Sequence, residues 1–106
     1  MKFGLSDAEL EFLRGVAVLP FSSMGLSVFC FGSRARGDHN RFSDIDLMLE
    51  GGKSPSAEKL KSEIEEILSN SNFPYKVELV FREDYAPAYT QGYLRDRKSF
   101  QDDRVD

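Results

Sequence analysis

The stretch DIDLMLE, residues 44–50, constrains the fold of this chain more than any other. Ile45, Leu47 and Leu49 fall on one side of an extended backbone, and Asp44, Asp46 and Met48 on the other. Such alternation is the period of a strand with one face in a core. It also sets two carboxylates side by side on the opposite face, about 6.5–7 Å apart at Cα. Carboxylates crowded onto an apolar strand need a partner or a cation to offset their desolvation. Two carboxylates at that spacing can converge on one hard, oxygen-preferring cation such as Mg²⁺. The competing reading is that Asp44 and Asp46 solvate the outer face of a half-exposed sheet, since a D-x-D pair is short and common.

The neighbouring segments read around this strand. LSVFCF, residues 26–31, is rich in β-branched and aromatic residues and predicts a strand buried on both faces. YKVELVF, residues 75–81, predicts a third, with Tyr75, Val77, Leu79 and Phe81 on one side and Lys76, Glu78 and Val80 on the other. Ser6 and Glu9 have capping-box spacing, so a helix is expected from there to about Leu19, with Leu10, Leu13 and Ala17 as its apolar stripe. PFSSMG then reads as a turn. Ser54 is the expected N-cap of a second helix with Pro55 at its first position. Ala57, Leu60, Ile64, Ile67 and Leu68 give that helix one apolar face as far as Asn70. Residues 83–100 are harder to read, because Pro87 and Gly92 weaken a helix although Tyr89, Tyr93 and Phe100 roughly share a face. The tail from about residue 101 is expected to fray.

The order helix, strand, strand, helix, strand, helix implies an α/β or α+β fold, with a small mixed sheet flanked by helices. At 106 residues the chain is expected to be one domain, without room for a second that binds substrate. Charged residues make up 30% and hydrophobic residues 41%, which argues against disorder. A net charge of −4 excludes a broad electrostatic grip on nucleic acid. Cys30, the lone cysteine, reads as a small core residue. No apolar run approaches the ~20 residues needed to span a membrane, and the N-terminus carries charges where a signal peptide would be apolar. The cytoplasm is therefore the expected location.

Between the first two strands lies GSRARGDHNRFS, residues 32–43. A glycine directly after a strand lets backbone N–H groups approach a phosphate, and a serine hydroxyl adds a donor. Arginine supplies a fixed fork of donors for phosphate oxygens. Taken alone, the segment could equally be a turn with solvated arginines. A triphosphate held here would bring its own cation to the aspartates.

Together the two halves are specific. Gly32-Ser33, ten residues from Arg34 to Ser43, then Asp44-Ile45-Asp46 resembles the G-S-x10-D-x-D motif of the DNA polymerase β-like nucleotidyltransferase superfamily. The fuller string GSRARG…SDIDL is similar to its minimal, single-domain members. The resemblance implies that Gly32 and Ser33 hold the β- and γ-phosphates of a nucleoside triphosphate. It implies that Asp44 and Asp46 bind one or two Mg²⁺ ions, and that Glu78 is the third acid, where the family usually has Asp. Arg36 is the candidate for a further phosphate contact, ahead of Arg34 and Arg41; His39 reads as a solvated loop residue. Transfer of AMP from ATP onto a hydroxyl follows, with Glu78 or the metal helping to deprotonate it.

Minimal members resemble antitoxins paired with HEPN-type toxins, in pairs like those of type VII. That implies AMP transfer onto a toxin tyrosine, with no direct contact to nucleic acid or membrane. A second expectation is a catalytically weak module that neutralises the toxin by binding it; Tyr85, Tyr89, Tyr93 and Phe100 could form its docking face, although ordinary core packing is the leading reading of these aromatics. A third is a transferase for a small molecule.

Overall fold

The computed structural model describes residues 2–100; the tail expected to fray lies outside them. Four strands form one mixed sheet: β1 (Ser27–Phe31), β2 (Ile45–Glu50), β3 (Val77–Phe81) and β4 (Lys98–Ser99), in the order β3-β2-β1-β4. β1 pairs antiparallel with β2 and β4, and β2 pairs parallel with β3. The parallel pair needs a crossover, and helix α4 (Pro55–Ser69) supplies it. Its start is as the sequence implies: Ala57 N–H donates to Ser54 Oγ at 3.1 Å, with Pro55 in the first turn.

The N-terminal helix runs further than expected. Ser6 caps α1 (Asp7–Leu13) reciprocally: Glu9 N–H donates to Ser6 Oγ at 3.1 Å, and Ser6 N–H to the Glu9 carboxylate at 2.8 Å. A π-helical stretch, Arg14–Val18, then leads into α2 (Leu19–Ser23). Most of PFSSMG is thus helix, not turn. Pro20 stands in the first turn of α2, directly after the π-helical stretch.

Two clusters occupy the two faces of the sheet. The larger joins Leu10, Leu13, Ala17 and Phe21 to Val28, Cys30, Ile45, Leu47, Leu49, Leu79 and Phe81, with Ala57 and Ile64 from α4. Phe100 belongs to it, fully buried with its ring 5.2 Å from Phe3, so it is core and cannot dock a partner. Ile67 faces solvent instead, because the apolar stripe of α4 is narrower than the pattern implies. The smaller cluster is Phe31, Met48 and Tyr93, with Phe29, Val80 and Tyr85 against it. Tyr93 comes from α5 (Thr90–Asp96), which follows two short 3₁₀ turns, Arg82–Asp84 and Pro87–Tyr89. The Tyr93 hydroxyl donates to the Glu50 carboxylate, and Arg97 Nη1 donates to the same oxygen at 2.6 Å. This polar tie fastens α5 across the end of β2.

Candidate active site

Strand register gathers the acids. Asp46 on β2 stands directly opposite Glu78 on β3 and, on its other side, opposite Phe31 at the end of β1. The next residue after Phe31 is Gly32, which the antiparallel pairing leaves against Asp46. Gly32 has φ +76°, a region open to few residues but glycine, and a Cβ there would lie 2.5 Å from Asp46 Oδ2. Glycine is therefore required twice over, by its backbone and by the carboxylate against it.

The segment after Gly32 is a short helix, α3 (Ser33–Arg36), where a loop was expected. Its open end leaves the first N–H groups without intrahelical acceptors. Gly37, at φ +86°, closes it by donating its N–H to the Ser33 carbonyl at 2.9 Å.

The arginines of this segment divide sharply. Arg34 is only 2% exposed. Its Nε donates to the Ser43 carbonyl at 3.0 Å and its Nη1 to the Phe3 carbonyl at 2.8 Å, with the guanidinium 4.5 Å from the centre of the Tyr75 ring. It is a structural pin, closed to a phosphate. Arg36 is exposed and faces the cavity beside Asp46, pairing with Asp38 at 3.0 Å and Asp96 at 3.7 Å. Arg41 is exposed and lies over Phe42. His39 is half-buried, its ring so close to Gly4 that a Cβ there would meet Nε2 at 2.2 Å, which corrects the solvated reading.

Burial pushes the Asp46 carboxyl up to about 6, and the charges of Glu78 and Asp44 push the same way; Arg36 and Lys76 pull down more weakly. Asp46 thus sits in a surplus of negative charge, among oxygen donors that suit a hard divalent cation. Asp44 is exposed just before β2, and Glu78 is exposed on the edge strand. The register sets Asp46 and Glu78 side by side on one sheet face, while Asp44 lies just outside the strand; among the described residues no three acids are drawn close enough to hold an ion. Burial also raises the Cys30 thiol to about 12, leaving it inert.

Beside Asp46 opens a cavity of about 430 Å³, lined among others by Gly32, Arg36, Tyr85, Tyr89, Tyr93 and Asp96. Its size suits a small organic ligand. Tyr85 is central to the aromatic wall, 5.4 Å from Phe31 and 5.8 Å from Tyr93 between ring centres, while Tyr89 is 63% exposed at the mouth. That these tyrosines face the cavity is what sequence reasoning missed. Their spacing of four, at 85, 89 and 93, was the available signal.

A mixed sheet that sets a strand acid between a glycine-serine turn and a neighbouring strand's acid has the architecture of a nucleotidyltransferase fold. The chain belongs to the nucleotidyltransferase domain family, whose model matches residues 17–105. A solved structure described as a minimal nucleotidyltransferase is 31% identical over 89% of this chain and 98% of its own, with a TM-score of 0.54. A toxin–antitoxin structure with AMP-PNP shares the fold at 21% identity and a TM-score of 0.52, covering 95% of this chain and 80% of that one. No curated protein matches the chain in sequence. No helix among the described residues is long and apolar enough to cross a membrane.

Proposed function

We propose that this nucleotidyltransferase transfers AMP from ATP to a tyrosine hydroxyl of a protein partner, a HEPN-type toxin, and so acts in the cytoplasm as an antitoxin. The observation that carries the reading is the register that sets Asp46 opposite Glu78, with the Gly32 backbone against the same carboxylate. The structure of a toxin–antitoxin with AMP-PNP, which shares the fold, supports the choice of adenine nucleotide and partner.

Gly32 lets the chain pass closely enough for the first N–H groups of α3 and the Ser33 hydroxyl to meet phosphate oxygens. Arg36, held by Asp38 and Asp96, adds a guanidinium to the same side of the cavity. The aromatic wall of Tyr85, Tyr89 and Tyr93 provides a surface for the nucleoside. Asp44, Asp46 and Glu78 would hold Mg²⁺, which when bound neutralises charge on the phosphates. Glu78 would take the proton as the acceptor oxygen bonds to the α-phosphorus and pyrophosphate leaves. With little covalent work asked of the protein, positioning and charge account for most of the rate.

The test is intact-mass spectrometry of the toxin encoded beside this protein, incubated with it, ATP and Mg²⁺. A gain of one or more AMP units is expected. The Asp44→Asn/Asp46→Asn protein should lower the rate by ~10³-fold or more, because charge stabilisation worth several kcal/mol is removed. If the double variant still modifies the toxin, the reading is wrong.

A second reading, a module that neutralises by binding alone, is favoured by one observation: the residue opposite Asp46 is Glu78, a longer acid where the family usually has Asp. Co-elution of the two proteins with no gain in mass would support it.

A further inference from the structure

A second cavity, of about 380 Å³, lies beside the same acids and shares no lining residue with the first. It is lined by Arg41, Phe42, Asp44, Pro74, Tyr75 and Lys76. Asp46 faces one cavity and Asp44 the other, although only Ile45 separates them in sequence. Asp46 on β2 and Asp44 just before it therefore each line a cavity of their own.

Phe42 is 78% exposed, the most exposed large apolar side chain among the described residues. An ordered turn presents it: Phe42 N–H donates to Asn40 Oδ1 at 2.8 Å, and Asn40 N–H to Ser43 Oγ at 3.0 Å. The Ser43 carbonyl is in turn pinned by Arg34. In the same lining, Tyr75 has the Arg34 guanidinium 4.5 Å from its ring centre. Two rings on fixed supports thus flank the Asp44 side, and the exposed cations Arg41 and Lys76 stand with them. Neither cation forms an ion pair with another described residue, although the chain as a whole carries a net charge of −4.

We infer that this second cavity is the acceptor-docking surface, and that its occupant is a protein segment presenting a tyrosine flanked by acidic residues. The inference rests on the proposed nucleotidyl transfer. In such a displacement the incoming oxygen and the leaving pyrophosphate lie roughly in line, on opposite sides of the α-phosphorus. With the β- and γ-phosphates at Gly32, Ser33 and Arg36 in the first cavity, the separate cavity lined by Asp44 is the one left for the hydroxyl. The bond from the phenolic oxygen to the α-phosphorus forms as the bond to the bridging oxygen breaks. Pyrophosphate takes that electron pair, and the phenolic proton passes to Glu78, two residues beyond Lys76. Phe42, Pro74 and Tyr75 give the tyrosine ring an apolar seat, and Arg41 and Lys76 complement acidic flanks.

The experiment records amide shifts of ¹⁵N-labelled protein in three separate titrations: an acetylated Glu-Glu-Tyr-Glu-Glu amide, hexauridylate, and AMP-PNP with Mg²⁺. The peptide is expected to move Arg41, Phe42, Tyr75 and Lys76, and the nucleotide to move Gly32, Arg36 and Tyr89. In an Arg41→Glu/Phe42→Ala variant the peptide should bind at least tenfold more weakly while the nucleotide binds as before, which also reports an intact fold. Peptide shifts that fall on the first cavity, or nowhere at millimolar concentration, overturn the inference. So does hexauridylate moving these four residues in the peptide's place, or equal binding of a Lys-Lys-Tyr-Lys-Lys peptide. Peptide shifts at the four residues with none from AMP-PNP would keep the docking surface and remove the proposed ATP-dependent transfer.

Discussion

On the helix-covered face of the sheet, Val28, Cys30, Ile45, Leu47, Leu49, Leu79 and Phe81 are all buried in one cluster. One residue along each strand, the other face carries Phe31, Asp46, Met48 and Glu78, with a thin aromatic cover from α5. The same three strands make both faces, so backbone pairing is common to the two and only side-chain chemistry separates them. One face is saturated with apolar contact and supplies the stability. The opposite face keeps desolvated charge beside a cavity, a poor arrangement for stability and a useful one for binding a cation and phosphates.

The largest way to test this division is to damage the first face. Leu47 is fully buried at the middle of β2, so Leu47→Ala should cost about 2–5 kcal/mol through lost transfer energy and a residual cavity. In a domain of this size that lowers Tm by on the order of 10–20 °C. The Asp44→Asn/Asp46→Asn protein, altered only on the other face, should still unfold cooperatively at a Tm no lower than the parent's. Thermal denaturation of the two side by side checks the contrast. Equal losses would mean that the carboxylates are structural.

Gly32→Ala should act chiefly on the site. The added methyl meets Asp46 Oδ2 in a backbone conformation that alanine rarely adopts. Moving that carboxylate by about 1 Å should reduce the proposed AMP transfer by ~100-fold, with about 1–3 kcal/mol of strain. Gly37→Ala is the matched control. It has a similar positive φ, but nothing lies within 4 Å of where its Cβ would be. A comparable loss of stability with transfer retained is expected, measured by steady-state transfer and Tm on both proteins. If Gly37→Ala loses as much transfer as Gly32→Ala, the contact with Asp46 is not what matters.

What the sequence made legible follows the same division. The period-two pattern of DIDLMLE placed Asp46 opposite the core, and both helix N-caps were readable because capping is local. The pairing of β2 with β3 agrees with the expectation that Glu78 approaches Asp46. Strand β4, Lys98–Ser99, was illegible because two residues carry no period. Arg34 read as a possible phosphate ligand, yet it is buried by a carbonyl 31 residues away, a contact no local pattern encodes. The cavity wall from Tyr85 to Tyr93 was hidden because Pro87 interrupts it and Gly92 sits within α5. Its shape depends on the tie of Tyr93 and Arg97 to Glu50, more than forty residues back.

The smallest expected effect carries the most specific test of the charged face. The Asp46 carboxyl is raised from 3.8 to about 6, so its proton is held more tightly in the folded chain than in the unfolded one. The associated stability is fully present below about pH 4 and is lost as pH rises through about 6. At pH 7.5 without divalent cations the parent therefore holds an ionised, partly desolvated carboxylate against Glu78 and Asp44, which Asp46→Asn does not. The variant should be the more stable there by on the order of 1 kcal/mol once solvent screening of a partly exposed group is allowed for. That is a few degrees in Tm. The advantage should vanish below about pH 4, where the parent's carboxyl is protonated. Adding Mg²⁺ at pH 7.5 should raise the parent's Tm more than the variant's, since a cation that binds only the folded acids stabilises by mass action. Tm measured across pH 3.5–8 with and without Mg²⁺ decides it. A parent more stable than the variant at pH 7.5 in the absence of metal would show that Asp46 is held by favourable partners, and that the two faces of the sheet differ less than their composition suggests.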